Sequence, residues 1–258
     1  MKKALFVKIF FVLIFAVSIK SQTVSELITQ GDAAYDKFDH KKALELFLKA
    51  HEAEPKNWEV MWRLSRTYVD LAEKMKTGTS EEKDKQLAQY RVAKDYADMA
   101  IEIEPNKSVN YLRRAIALGR VALFKGVFSV GSVVDSVKVD AEKAIALGNG
   151  GNFIQGVSHY VLARTHAKLA EKPGFVRWPL GLGWGDINVA IKEFEKAIKI
   201  YPNFVMFYYD YAKALIEEDE YEKAREMLNK AINAPLKDED DQQLKKEAKE
   251  LLAKIKDE

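Results

Sequence analysis

Two alanines seven residues apart, with a packing residue midway and a proline four or five residues beyond, constrain this chain more than any other feature. The pattern stands in KKALELFLKAHEAEP (41–55) as Ala43, Phe47 and Ala50, and in YRVAKDYADMAIEIEP (90–105) as Ala93, Ala97 and Ala100. It returns in GDINVAIKEFEKAIKIYP (185–202) as Ala190, Phe194 and Ala197, and in EYEKAREMLNKAINAP (220–235) as Ala224, Leu228 and Ala231. Seven residues are about two helical turns, so both alanines lie on one face and let a neighbouring helix come close. The proline then ends the helix. A weaker copy is SVKVDAEKAIALGN, with Val137, Ala141, Ala144 and Asn149 in the matching slots.

Each of these helices follows another whose residues recur in register. Leu27 and Gly31 fall in LITQGDAAY, Met61, Leu64 and Tyr68 in VMWRLSRTY, and Tyr111, Ala115 and Leu118 in YLRRAIAL. His159, Leu162, Ala163 and His166 in HYVLARTH, and Tyr208, Tyr211, Ala212 and Leu215 in YYDYAKAL, complete the series. The unit is a helical hairpin. These small and large positions resemble those of the tetratricopeptide repeat, whose period is about 34 residues. The resemblance implies an all-α, right-handed superhelical solenoid of about five hairpins, at residues 24–57, 58–107, 108–151, 156–204 and 205–237. Residues 238–258 are expected to form a capping helix, with Leu244, Ala248, Leu251, Leu252 and Ile255 on one stripe.

The first 21 residues differ in kind. Lys2 and Lys3, an apolar run from Ile9 to Ile19 and then small residues read as a secretory signal, cleaved after Ser18 or Ser21. The run is shorter than the roughly 20 residues that cross a bilayer. Removing the four lysines of this segment leaves 37 bases against 39 acids, a net charge of −2. Such a chain has no general electrostatic affinity for nucleic acid or anionic lipid. It has no cysteine, hence no disulfide, thiolate metal site or acylated lipoprotein anchor. The expectation is a periplasmic or secreted repeat domain, residues 22–258, without a stable membrane anchor.

The second, third and fourth copies are longer than the standard unit, with the extra residues between their two helices. KTGTSEEKDKQ (76–86) is polar and reads as a solvated connection or the tip of two lengthened helices. VALFKGVFSVGSVVDSV (121–137) is apolar; it extends the helix pair, or its Phe124, Val127, Phe128, Val130 and Val133 line a ligand pocket. PGFVRWPLGLGWGD (173–186) has a glycine spacing superficially like a dinucleotide loop. That motif must follow a strand and needs a third glycine where Asp186 stands. Here the glycines let the chain turn tightly, Asp186 caps the next helix as Asp39 does in the first repeat, and Trp178 and Trp184 pack on the array.

No catalytic pattern emerges. His40, His51, His159 and His166 contain no pair at metal-binding spacing, and His159 and His166 occupy packing slots. There is no Gly-x-Ser-x-Gly and no Walker loop. The chain therefore reads as a non-enzyme without cofactor or metal. The repeat resemblance implies a concave groove lined by the fifth and ninth positions of each unit. In the first repeat these are Ile28 and Asp32, and in the others Trp62, Arg66, Leu112, Ile116, Tyr160, Arg164, Tyr209 and Lys213. Three of the five pairs are an aromatic residue followed one turn later by a base. Such a surface suits a protein or peptide partner with a carboxylate, or an acidic ligand with apolar parts.

From about residue 115 to 253 the order of parts also resembles two families: exported proteins grouped with the T component of TRAP transporters, and the regulator-of-microtubule-dynamics family. The first resemblance implies a periplasmic accessory that works with a solute-binding protein, sometimes through an apolar channel. The missing cysteine departs from the lipid anchor common in that group.

Overall fold

The computed structural model describes residues 22–126 and 131–258, so the expected signal at 1–21 and Val127, Phe128 and Val130 lie outside the described residues. Every regular element described is helical. The five hairpins are α1 (Val24–Tyr35) with α2 (His40–Ala53), α3 (Trp58–Glu73) with α4 (Ser80–Ile103), α5 (Ser108–Lys125) with α6 (Gly131–Leu147), α7 (Gly151–Ala170) with α9 (Ile187–Ile200), and α10 (Val205–Ile216) with α11 (Tyr221–Asn233). The one-turn α8 (Gly174–Arg177) and a 3-10 turn, Trp178–Leu180, stand between α7 and α9, and α12 (Asp241–Lys254) caps the array.

Starts and stops are set locally. Thr23 with Glu26, and Thr79 with Glu82, form reciprocal capping boxes. Asp39 accepts from the Lys42 N–H, and Asp186 from the N–H groups of Asn188 and Val189. Glu54, Glu104 and Tyr201, each before a proline, leave the helix with almost the same backbone: φ −134° or −135° and ψ 80° to 82°. Proline bars its predecessor from the α region, so one residue type imposes one stop three times.

The eight alanines of the four strong repeats are completely buried, as are Phe47, Ala97, Phe194 and Leu228 between them. Helices pack backbone to ring at these points: a Cβ on Gly31 would meet Phe47 Cε1 at 2.3 Å. The polar insert 76–86 became mostly extra turns of α4. The apolar insert lengthens α5 and α6.

The array closes on itself. After α11 the chain makes a turn held by the buried Asp241, whose Oδ2 accepts from the N–H of Lys237 at 2.6 Å and of Asp238 at 2.8 Å. Glu239 thereby reaches His40 Nε2 at 3.0 Å, and Lys74 donates to Asp240 at 2.8 Å. Residues from the first hairpin to the turn before α12 thus line a cavity of about 760 Å³ that opens to solvent.

Candidate functional site

The cavity is lined by inward faces of α3, α5 and α7, whose positions step by three and four residues as one helical stripe does. From α3 come Arg66, Val69, Asp70 and Glu73; from α5, Arg113, Ile116 and Arg120; from α7, Val157, Tyr160, Val161, Arg164 and Lys168. Val134 and Val137 of α6 and Leu169 make an apolar wall, and Phe153, Tyr201, Phe204 and Met206 supply a second apolar surface.

Four arginines face this space, and three of them are engaged. Arg66 lies 3.4 Å from the Tyr35 ring centre and donates to Asp32 at 3.2 Å. Arg120 pairs with Glu73, whose carboxyl is raised by burial despite that partner. Arg164 donates to the Tyr160 hydroxyl at 3.4 Å and approaches Asp210, to which Tyr160 donates at 2.7 Å. Arg113 makes no hydrogen bond or ion pair among the described residues, and the Trp62 ring centre lies 5.8 Å away. Burial and the neighbouring Arg66 push its pKa down to about 10, against the pull of Tyr35 and Asp70. The Nε atoms of Arg66, Arg113 and Arg164 are all shut off from solvent without a hydrogen-bond partner. Asp210 Oδ2 stands 3.4 Å from the Nε of Arg164, so those of Arg66 and Arg113 are the two that ask for an acceptor, since buried donors are nearly always paired.

Of the residues expected in the groove, the cavity brings together Arg66, Ile116, Tyr160 and Arg164. Leu112 does not reach it: the side chain is completely buried among Val109, Ala144 and Ile154, where α6 and α7 cross α5. Trp62 stacks on Arg63 and Arg66, with centroid distances of 4.2 and 5.1 Å, outside the cavity lining. Tyr209 and Lys213 lie beyond it too, the ammonium 5.3 Å from its ring. In the apolar insert, Phe124 and Val133 pack into the core between helices. Their neighbours Ala122, Leu123, Gly126, Val134 and Val137 line the cavity instead. Arg113 and Arg120, which the sequence reading passed over, lie three residues before and four after Ile116, the positions sharing its face.

The two histidines of α7 pack in the interior. His159 Nδ1 lies 2.5 Å from Glu193. His166 Nδ1 accepts from the Asp186 N–H at 3.3 Å, and the ring meets Trp184 edge-on at 5.0 Å. Burial, with Lys138 nearby, holds the His166 pKa below its ordinary value. The unfolded chain therefore binds a proton at higher pH than the fold does. Stability contributed by the neutral ring is complete above about pH 6.5 and is lost as pH falls towards the folded value. The melting temperature of wild type should fall more steeply between pH 7 and pH 5 than that of His166→Asn, which keeps an acceptor but does not titrate. Parallel slopes would contradict this account.

Among the described residues no group of three or more acids or histidines could hold a metal ion, and no helix is long and apolar enough to cross a membrane.

Stacked two-helix units with buried alanine seams define a tetratricopeptide-repeat solenoid. The fold matches a thermophilic tetratricopeptide-repeat protein of Thermus thermophilus with a TM-score of 0.61, 15% identity, and coverage of 88% of this chain and 98% of that one. PilW, a type IV pilus biogenesis factor, matches with a TM-score of 0.59 and 12% identity over 91% of this chain and 89% of its own. Residues 27–256 match the family Regulator of microtubule dynamics protein 1-3, and the chain belongs to that family. It is 27% identical to regulator of microtubule dynamics protein 1 of Mus musculus, covering 89% of this chain and 74% of that protein. The Bos taurus counterpart is 28% identical, with coverage of 91% and 73%.

Proposed function

We propose that this chain is an exported, non-catalytic binding module that holds an acidic ligand with an apolar body inside its closed array. One observation carries the reading: Arg113, half-buried, unpaired and beside Arg66, faces a cavity that combines an aliphatic and aromatic wall with the carboxylates of Asp36, Asp70, Glu73 and the Asp238–Asp240 turn. A carboxylate or phosphate there would satisfy the stranded donors with charge-assisted hydrogen bonds. The apolar body would lie against Ile116, Val134, Val137, Val157 and Val161. A volume of about 760 Å³ suits one ligand of a few tens of heavy atoms. Among the described residues of the cavity, Glu73, Glu239 and Asp240 sit in ion pairs, Asp238 in the turn before α12, and Asp70 accepts from the Tyr35 hydroxyl at 2.5 Å. The basic and apolar start of the sequence supports placing the module in the periplasm.

The probe is cis-parinaric acid, a fluorescent polyene carboxylate. Saturable binding of about one equivalent is expected, with at least tenfold weaker binding of its methyl ester. Equal binding of acid and ester, or none of either, would refute the assignment.

A second reading has the array holding a protein partner, such as a solute-binding protein, as repeat solenoids commonly do. Trp62, with the guanidinium of Arg63 4.2 Å from its ring centre, favours it, because this aromatic and basic surface lies outside the cavity lining. Loss of partner capture in Trp62→Ala, with parinarate binding intact, would separate the two surfaces.

A further inference from the structure

We infer that the insert between α7 and α9 is a docking knob for an anionic lipid surface. Phe175 and Trp178 are 76% and 70% exposed, the most exposed large apolar side chains described. They stand three residues apart on one helical turn, hence on one side of it. A single exposed apolar residue is ordinary, but here there are two, and Trp178 is held in place. The Trp178 indole lies against two glycines: a Cβ on Gly183 would fall 2.5 Å from its Cδ1, and one on Gly174 3.3 Å from its Cζ2.

The base of the knob is equally fixed. Arg177 donates through Nε to the Lys172 carbonyl at 2.8 Å and through Nη1 to the Gly185 carbonyl at 2.6 Å. Leu182 is completely buried, and Trp184 Nε1 donates to Asp135 at 2.8 Å. One tryptophan of the insert anchors it while the other, expected on the array, is turned out to solvent.

Charge selects the occupant. From Lys172 to Gly185 the insert carries Lys172 and Arg177 and no acid. Arg177 spends its donors on carbonyls, so its charge stays uncancelled. The acids at its margins are held: Glu171 by Lys168 at 2.6 Å, Asp186 by the first turn of α9 and Asp135 by the Trp184 indole. The outcome is a projecting aromatic pair with the exposed Lys172 beside it and the Arg177 charge at its base, the chemistry of an interfacial anchor: rings enter the headgroup region while the lysine meets lipid phosphates. This local patch sits on a chain without general basic character, so docking is reversible. It does not depend on what the cavity holds.

The chain has no cysteine, so Phe175→Cys can carry a single environment-sensitive NBD label. With vesicles of phosphatidylglycerol and phosphatidylcholine, emission should rise several-fold, with little change for phosphatidylcholine alone. A label at exposed Lys83→Cys on α4 should not respond. Adding Trp178→Ala to the labelled protein should weaken the response about tenfold while melting temperature and parinarate binding hold. No rise with anionic vesicles, or an equal rise at position 83, would overturn the assignment. So would a rise that only a soluble protein elicits.

Discussion

Replacing Arg113 with methionine stabilises the ligand-free protein and weakens ligand capture. A cation without a partner in a partly dry site costs folding free energy, and its replacement by an apolar chain of similar length removes that cost. A gain of about 1–3 kcal/mol is expected by denaturant titration, reduced somewhat by the lost approach to Trp62. Parinarate affinity should fall by about 100-fold, since one charge-assisted contact to a carboxylate is worth about 1.5–3 kcal/mol. Arg114 is the matched control. It sits next in sequence but on another face, with two bonds of 2.7 Å to the buried Asp140 and one of 3.0 Å to Asp98. Arg114→Met strands the Asp140 carboxylate and should destabilise by about 2–3 kcal/mol, below the value for a dry pair because the guanidinium is 28% exposed. Its effect on parinarate should be small. Adjacent arginines with opposite signs in stability would show that Arg113 is kept for binding. A destabilised Arg113→Met protein that still takes up the probe would remove the basis of the proposed function.

The repeat was legible because its determinants are local. Alanine spacing, capping residues and prolines act within one or two turns, and the buried faces of α2, α4, α9 and α11 follow directly from them. The cavity was legible only where the repeat stays regular. Arg66, Tyr160 and Arg164 occupy the expected positions, whereas the crossing of α6 and α7 over α5 buries Leu112 and leaves Ile116, with Arg113 and Arg120, on the inward stripe. In the same region Phe124 and Val133 pack against core clusters, and Leu123, Val134 and Val137 line the cavity. Closure of the array could not be read at all. His40 and Glu239 stand 199 residues apart, and no local pattern announces a contact created by the accumulated twist of five hairpins. Trp178 is a different failure: a large aromatic in a glycine-rich loop reads as packing, but it rests only on two glycines of its own insert and is 70% exposed.

The seam between α1 and α2 gives the largest stability effects, and a double-mutant cycle there tests how the repeat works. Phe47 is completely buried beside Leu27, Ala43, Leu46, Ala50, Val60 and Leu64, so Phe47→Ala leaves a cavity and should cost about 3–5 kcal/mol. Gly31→Ala ought to stabilise an ordinary helix by about 1 kcal/mol through propensity. Here the new methyl would stand 2.3 Å from Phe47 Cε1 and 2.8 Å from Cδ1 and Cζ, so the ring or the helix must shift. Overpacking of this kind costs typically about 1–3 kcal/mol, and the net change should be a loss. In Gly31→Ala/Phe47→Ala the obstructing ring is gone, the methyl enters the space it left, and the helical gain is recovered. The double variant should therefore be more stable than the sum of the single changes by about 1–3 kcal/mol, well outside the additivity of independent sites. Strict additivity would mean that α1 can retreat from α2 at little cost. The small residue would then not be what sets the spacing of the two helices, and the seam would be held by the surrounding aliphatic contacts alone.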